Sequence, residues 1–339
     1  MLAMTAVQPT GQSAAVGFRS LQRRLAALRP GTELPSGEES PLEQLHVPGE
    51  PPRLIRASPL EGGSVRAHRV FGAPEVGFDA FLDGTQSSQT LAFAGGVAVI
   101  YGTVAAVIRL RRNRRLVTWG TPSVGRAIYA PRRHLPADLW DSLRALELPL
   151  VDTSDEGAGG ELAGPQHPFV LRDAAVHRVQ KDREELERRL AERWCAVEKG
   201  MLFIDGGISG SERVAVSSCT VGVVKSHRTL YAEGDELQRI FQLRCGERSS
   251  VLRITSAKRT PVASWYLRIR DRAGHDPLWG LVRMEIAHPK AGDPAIGERA
   301  DEISRWVLAE VSPLALPDAR WDKMVYGVRD CEEFLRAIV

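Results

Sequence analysis

Apolar positions recur at helical spacing most clearly between Asp173 and Lys199, where Val176, Val179, Leu186, Leu190, Trp194 and Val197 trace one stripe. Gly200 closes that helix, and Met201–Ile204 follows as a short apolar strand ending at Asp205-Gly206-Gly207. Upstream the pattern is strand-like. Val76–Leu82 leads into Asp83-Gly84, a turn signal, and the Val-, Ile- and Ala-rich stretch Gly96–Leu110 reads as one long strand or two. Arg111–Arg115 is a polar break centred on Asn113, after which Leu116–Trp119 resumes the strand. The expectation is a three-stranded antiparallel meander with the arginine run at a hairpin tip. Later strands are expected at Cys219–Val224, Val251–Thr255, Ser264–Arg270 and Leu281–Ile286, with helices at Asp301–Val311 and Cys331–Ile338.

The ends and connections read differently. A short amphipathic helix is expected over about residues 16 to 29, stopping before Pro30. Residues 30–68 are rich in Pro, Gly, Glu and Ser and read as an extended arm, and Asp152–Pro168 reads as an exposed loop. The chain therefore divides into a helix and arm over residues 1–70 and one large α/β unit over 71–339. The uncharged run Leu91–Ile108, followed by basic residues from Arg109, has the length of a membrane helix. Gly95, Gly96 and Gly102 break a helix read through it, and a buried sheet absorbs the run without a membrane. Met1–Val16 lacks the basic start and apolar run of a secretory signal, so a cytoplasmic, nucleoid-associated protein is expected.

Composition adds one useful bias. With 43% apolar and 26% charged residues, the chain of 339 is globular rather than disordered. Its four cysteines are far apart and form no CxxC, which excludes a disulfide scaffold or a cysteine zinc site. The formal charge is only +3, but six lysines among 45 basic residues leave arginine dominant. Arginine suits bidentate phosphate recognition, although GC-rich codon usage gives the same excess. Arg109, Arg111, Arg112, Arg114 and Arg115 cluster at the expected hairpin tip. Arg132-Arg133 adds charge, and Arg268, Arg270 and Arg272 alternate on one strand as a candidate phosphate-tracking row.

The order of three strands, a long helix and a strand, with aspartates at Asp83 and Asp205, is the layout of ribonuclease-H-like nucleases. In these, carboxylates from neighbouring strands and the first helix converge on divalent metal. Two hard cations need several carboxylate oxygens to activate water and stabilise a leaving oxygen. At about 100° per residue, Glu187 lies at the border of the apolar stripe and turns toward the sheet edge, whereas Glu184, Glu185 and Glu192 point away. Glu187 is thus either the third ligand or an ordinary boundary charge. Competing chemistries lack their motifs: no G-x-S-x-G elbow, no P-loop after Asp205-Gly-Gly, and no HExxH among the eight histidines.

Phe81-Leu-Asp-Gly-Thr-Gln86 resembles the opening motif of the NurA nucleases, and Val221-Gly-Val-Val-Lys-Ser226 resembles the segment that follows their second aspartate. Trp265-Tyr-Leu-Arg268 and Val282-Arg-Met-Glu-Ile286 resemble their late strands, so the similarity spans roughly residues 78 to 339. The resemblance implies an RNase-H-like mixed sheet flanked by helices. It also implies metal ligands Asp83, Glu187 and Asp205, with two manganese or magnesium ions. Lys225 would stand near the scissile phosphate or an attacking water, and Tyr266 would orient the site. The family's terminal tyrosine-proline segment is replaced by Val325-Tyr-Gly-Val-Arg-Asp-Cys-Glu-Glu-Phe334, leaving Asp330, Glu332 or Glu333 as the last ligand. Such a protein is expected to be a homodimeric 5′–3′ exonuclease, an endonuclease, or both. It would work with a HerA-type hexameric ATPase in DNA end resection and double-strand-break repair, or in phage defence. The alternatives are a standalone RNase-H-like nuclease and a non-catalytic DNA-binding subunit.

Overall fold

The computed structural model describes residues 17–35, 51–155, 167–272, 274–289, 294–311 and 326–339. Met1–Val16, part of the arm and most of the loop expected over Asp152–Pro168 lie outside them. Helix α1 (Phe18–Leu28) precedes three short strands of the arm, β1 (Arg53–Leu54), β2 (Ser58–Pro59) and β3 (Ala67–Arg69). Then come β4 (Ala80–Ala94), β5 (Val97–Arg112), β6 (Arg115–Thr118), β7 (Ser123–Ala130), α2 (Ala137–Arg144) and β8 (Leu150–Asp152). Helix α3 (Pro168–Val197) leads to β9 (Leu202–Asp205), α4 (Glu212–Ala215), β10 (Thr220–Val224), β11 (Thr229–Leu230) and α5 (Gly234–Phe241). The chain finishes with β12 (Glu247–Ser249), β13 (Leu252–Ser256), β14 (Arg259–Arg268), β15 (Leu281–Ala287), α6 (Ile296–Val311) and α7 (Tyr326–Ile338).

The fold is α/β, with helices flanking a large mixed sheet whose main path is β2-β13-β14-β15-β10-β9-β4-β5-β7-β8. Strands β4, β5 and β7 pair antiparallel, whereas β9 runs parallel to β4 and β10 parallel to β9. The uncharged run expected to need a sheet is the β4–β5 hairpin. Residues 97–108 of β5 are buried throughout, because helices cover both faces of a central strand. Among the described residues no helix is long and apolar enough to cross a membrane.

One turn is misplaced by the sequence reading. Asp83-Gly84 lies inside the 15-residue strand β4, with Asp83 opposite Val107 and Gly84 opposite Ala106. The reversal comes instead at Gly95-Gly96, where both φ angles are positive, the conformation that a two-residue hairpin turn needs. The arginine run does form a hairpin tip, with Asn113 and Arg114 also at positive φ.

Strand alternation separates two cores. Ala80 and Leu82 face α3 and pack with Val176, Val179, Leu186, Leu190 and Trp194. Phe81 faces the other side with Phe203, Val221 and Val223, under α6 and α7. The stripe of α3 stops at Trp194, since Val197 is 69% exposed where the helix leaves the sheet. A polar tie fixes the rotation of α3: the buried Tyr129 hydroxyl donates to Asp182 Oδ2 at 2.7 Å, and Arg178 reaches the other oxygen at 3.2 Å. Burial, with Asp182 beside it, raises the Tyr129 phenol well above its ordinary value, so it stays a donor. Tyr129→Phe removes one partner of a buried carboxylate and is expected to cost about 1–3 kcal/mol in denaturant unfolding. An unchanged midpoint would show that this tie does not hold the helix.

Candidate active site

The parallel ladder between β4 and β9 ends at Leu82 opposite Ile204. Asp83 and Asp205 are each one residue further on, so alternation places their side chains next to each other on the Phe81 face. The chain leaves β9 at Gly206 (φ 134°), and the two strands part there. Gly84 faces the other way, toward α3. A Cβ on Gly84 would collide with Glu187 Oε1 and stand 3.0 Å from the Ala105 carbonyl oxygen. Glycine at 84 is therefore what admits the Glu187 carboxylate to the gap between the strands. The Asp-Gly pair that imitates a turn signal is a space requirement of the site.

The second glycine motif has a similar cause. A Cβ on Gly222 would lie 2.7 Å from the Gly206 carbonyl oxygen and 3.1 Å from Ile208 Cγ2, because the 206–208 segment folds back across β10. That segment is pinned from β15, where Glu285 Oε2 accepts from Ile208 N at 2.8 Å and Arg283 holds Oε1 at 2.5 Å. Arg283 and Glu285 are both buried. They thereby fix the course of the chain just after Asp205.

Burial and mutual repulsion set the charge state. Burial first, then Asp205 and Glu187, push the Asp83 carboxyl well above its usual range, and Lys225 opposes them. Burial raises Glu187 from 4.5 to about 7 against the pull of Arg183, with Asp205 and Glu184 adding to the rise. Two cations neutralise the group from within. Lys225 Nζ is 2.6 Å from Asp205 Oδ2, and Arg183 pairs with Glu187 while its Nε donates to Gln86 Oε1 at 3.1 Å. Among the described residues no three histidine, cysteine or acidic side chains are already arranged to hold a metal ion. The donor chemistry nonetheless fits a hard divalent cation: the carboxylates are all oxygen donors, and burial leaves them short of positive charge.

These residues line one cleft of about 830 Å³. It brings together Asp83, Glu187, Asp205 and Lys225, four of the residues expected from sequence. The others lie elsewhere. Tyr266 is fully buried against a separate cluster with Ala232 and Ile240, and its hydroxyl accepts from Tyr231 N at 2.9 Å. It does not line the cleft. Arg268 is buried rather than part of a phosphate row, donating to the carbonyls of Leu243 (3.1 Å), Phe241 (3.0 Å), Pro277 (3.0 Å) and Trp279. Arg270 donates to the Val311 carbonyl. Arg268 acts inside the fold because the β14–β15 connection packs over it, and Arg270 is drawn to the end of α6.

Arg111 also turns inward, with Nη2 held by both Glu310 oxygens at 2.9 and 2.8 Å. Arg112, Arg114 and Arg115 are exposed. Arg112 lies five residues beyond Val107, the partner of Asp83, which places the tip about 17 Å away at strand rise. It projects past the start of β4, opposite to the direction in which β4 runs into the cleft. Of the C-terminal candidates, Asp330 is held by Arg109 at 2.5 Å, Glu333 pairs with Arg329 and Glu332 with Arg336. None of the three lines the cleft.

Sequence reasoning missed Arg183, Lys258 and Arg259 in the cleft wall. Arg183 carries a usable signal, since it stands four residues before Glu187 on one helix face. Lys258 and Arg259 sit on a hairpin brought in by tertiary pairing, which no local pattern shows. No protein-family model matches the chain, and no curated protein matches it either.

The raised Glu187 gives a signed pH effect. The folded state keeps its proton to about 7 and the unfolded chain only to 4.5. The stability linked to this proton is present below the lower value and drains away as pH rises through the upper one. In a chelator, thermal unfolding of the wild type should fall relative to Glu187→Gln as pH rises from 4.5 to about 7. Parallel curves for the two proteins would contradict the assignment.

Proposed function

We propose that this chain is a metal-dependent deoxyribonuclease of the RNase-H-like class, similar to the NurA nucleases. The observation that carries it is the meeting of Asp83 and Asp205, from neighbouring parallel strands, with Glu187 from the preceding long helix in one cleft. The arrangement of antiparallel β4, β5 and β7, then α3, then β9 beside β4 supports the same class.

Asp83, Asp205 and Glu187 would hold manganese or magnesium in the place where Lys225 and Arg183 now meet two of them. When bound, such cations activate water and stabilise the leaving oxygen of a phosphodiester. With Asp205 turned to a metal ion, Lys225 would offer its ammonium group to the phosphate oxygens at the cleft. Gly84 leaves Glu187 its room in the gap, and Arg283 with Glu285 keeps the 206–208 segment in place. The NurA likeness further assigns linear DNA as substrate, a homodimer, and a HerA-type ATPase as partner in end resection. The lack of a Walker A motif fits a motor supplied from outside the chain.

The test is cleavage of labelled linear DNA with manganese, magnesium or EDTA, with and without a HerA-type ATPase. Metal-dependent cutting by the wild type and a loss of more than about 100-fold in Asp83→Ala, folded by circular dichroism, is the expected outcome. Absence of cutting by the folded wild type under every condition would instead favour a non-catalytic DNA-binding subunit.

A further inference from the structure

Four of the cations selected by sequence clustering are used up inside the protein. Arg109 holds Asp330, Arg111 holds Glu310, Arg268 binds four carbonyls and Arg270 a fifth. The cleft is supplied differently. Three of the six lysines in the chain, Lys181, Lys225 and Lys258, line it. Lys258 and the adjacent Arg259 occupy the β13–β14 turn and the first position of β14, and both are exposed.

That hairpin is docked through its backbone. Thr260 N donates to the Ser209 carbonyl at 3.0 Å, docking the hairpin on the segment that follows Asp205. Arg259 Nη1 stands 3.5 Å from Ser209 Oγ, a neutral neighbour. Among the described residues neither Lys258 nor Arg259 is held by a carboxylate. Two adjacent cations are thus presented to the cleft on a backbone-anchored support, with Lys181 on α3 also lining it.

We propose that Lys258 and Arg259 form a phosphate-binding edge that guides a DNA strand along this cleft toward the carboxylates. The assignment rests on the nuclease proposal above and names its substrate contacts. Arginine contributes a fork and lysine a point charge, so the pair grips the backbone without reading sequence.

The full-length chain is tested by fluorescence anisotropy on a labelled single-stranded oligonucleotide and its duplex, in EDTA, across a sodium chloride series. Lys258→Ala/Arg259→Ala should weaken binding and lower the slope of log affinity against log salt by about 1.4–1.8, two phosphates at 0.7–0.9 each. Arg112→Ala/Arg114→Ala, which removes the same charge from the remote hairpin, should leave the slope at the wild-type value. An unchanged slope in the first variant, in a wild type that binds and cuts DNA, would overturn this edge and leave the nuclease proposal standing. Failure of the wild type to bind DNA or cut it with manganese would overturn both.

Discussion

Crowded like charge is the constraint on which the centre of this molecule depends. Three carboxylates line one cleft where β4 and β9 separate, and burial, with their mutual repulsion, holds Asp83 and Glu187 above the ordinary range. Such a cluster survives folding only with positive charge inside it or protons upon it. Lys225 and Arg183 supply the charge. Much of the surrounding architecture serves to bring these groups together: Gly84 leaves room for Glu187, Gly222 lets the 206–208 segment cross β10, and Glu285 holds that segment down.

Arginine plays a second, structural part. Arg248 is buried and joins Glu61 of the arm (2.6 Å) to Asp301 of α6 (2.5 Å), while Arg268 gathers carbonyls from around its strand. A fork with five donors can satisfy several scattered acceptors at once, which suits such junctions. Lysine, with one compact charge, is scarce here and gathers at the cleft. The contrast separates cations that fasten the fold from cations that line the cleft.

Local pattern was enough for much of this. The stripe of α3 placed Glu187 at the boundary of the sheet face, and the short apolar strand before Asp205 placed that carboxylate at a strand end. What failed depended on pairing. Asp83-Gly84 imitates a turn because nothing local reveals that β5 continues alongside and Glu187 arrives from across the chain. Arg268 resembled a surface cation since alternation gives a face without saying whether that face is covered. Tyr266 likewise belongs to a separate apolar cluster fixed by α5 and the Val65 segment. The short helices α2 and α5 leave no legible stripe, because eight residues give too few repeats of the helical period.

The most direct measurement is anomalous diffraction at the manganese edge from crystals grown or soaked with manganese. The account predicts signal bounded by Asp83, Asp205 and Glu187, with the Lys225 ammonium displaced from Asp205. A manganese-bearing crystal with no signal at these carboxylates, and with the Lys225–Asp205 and Arg183–Glu187 pairs intact, would contradict it.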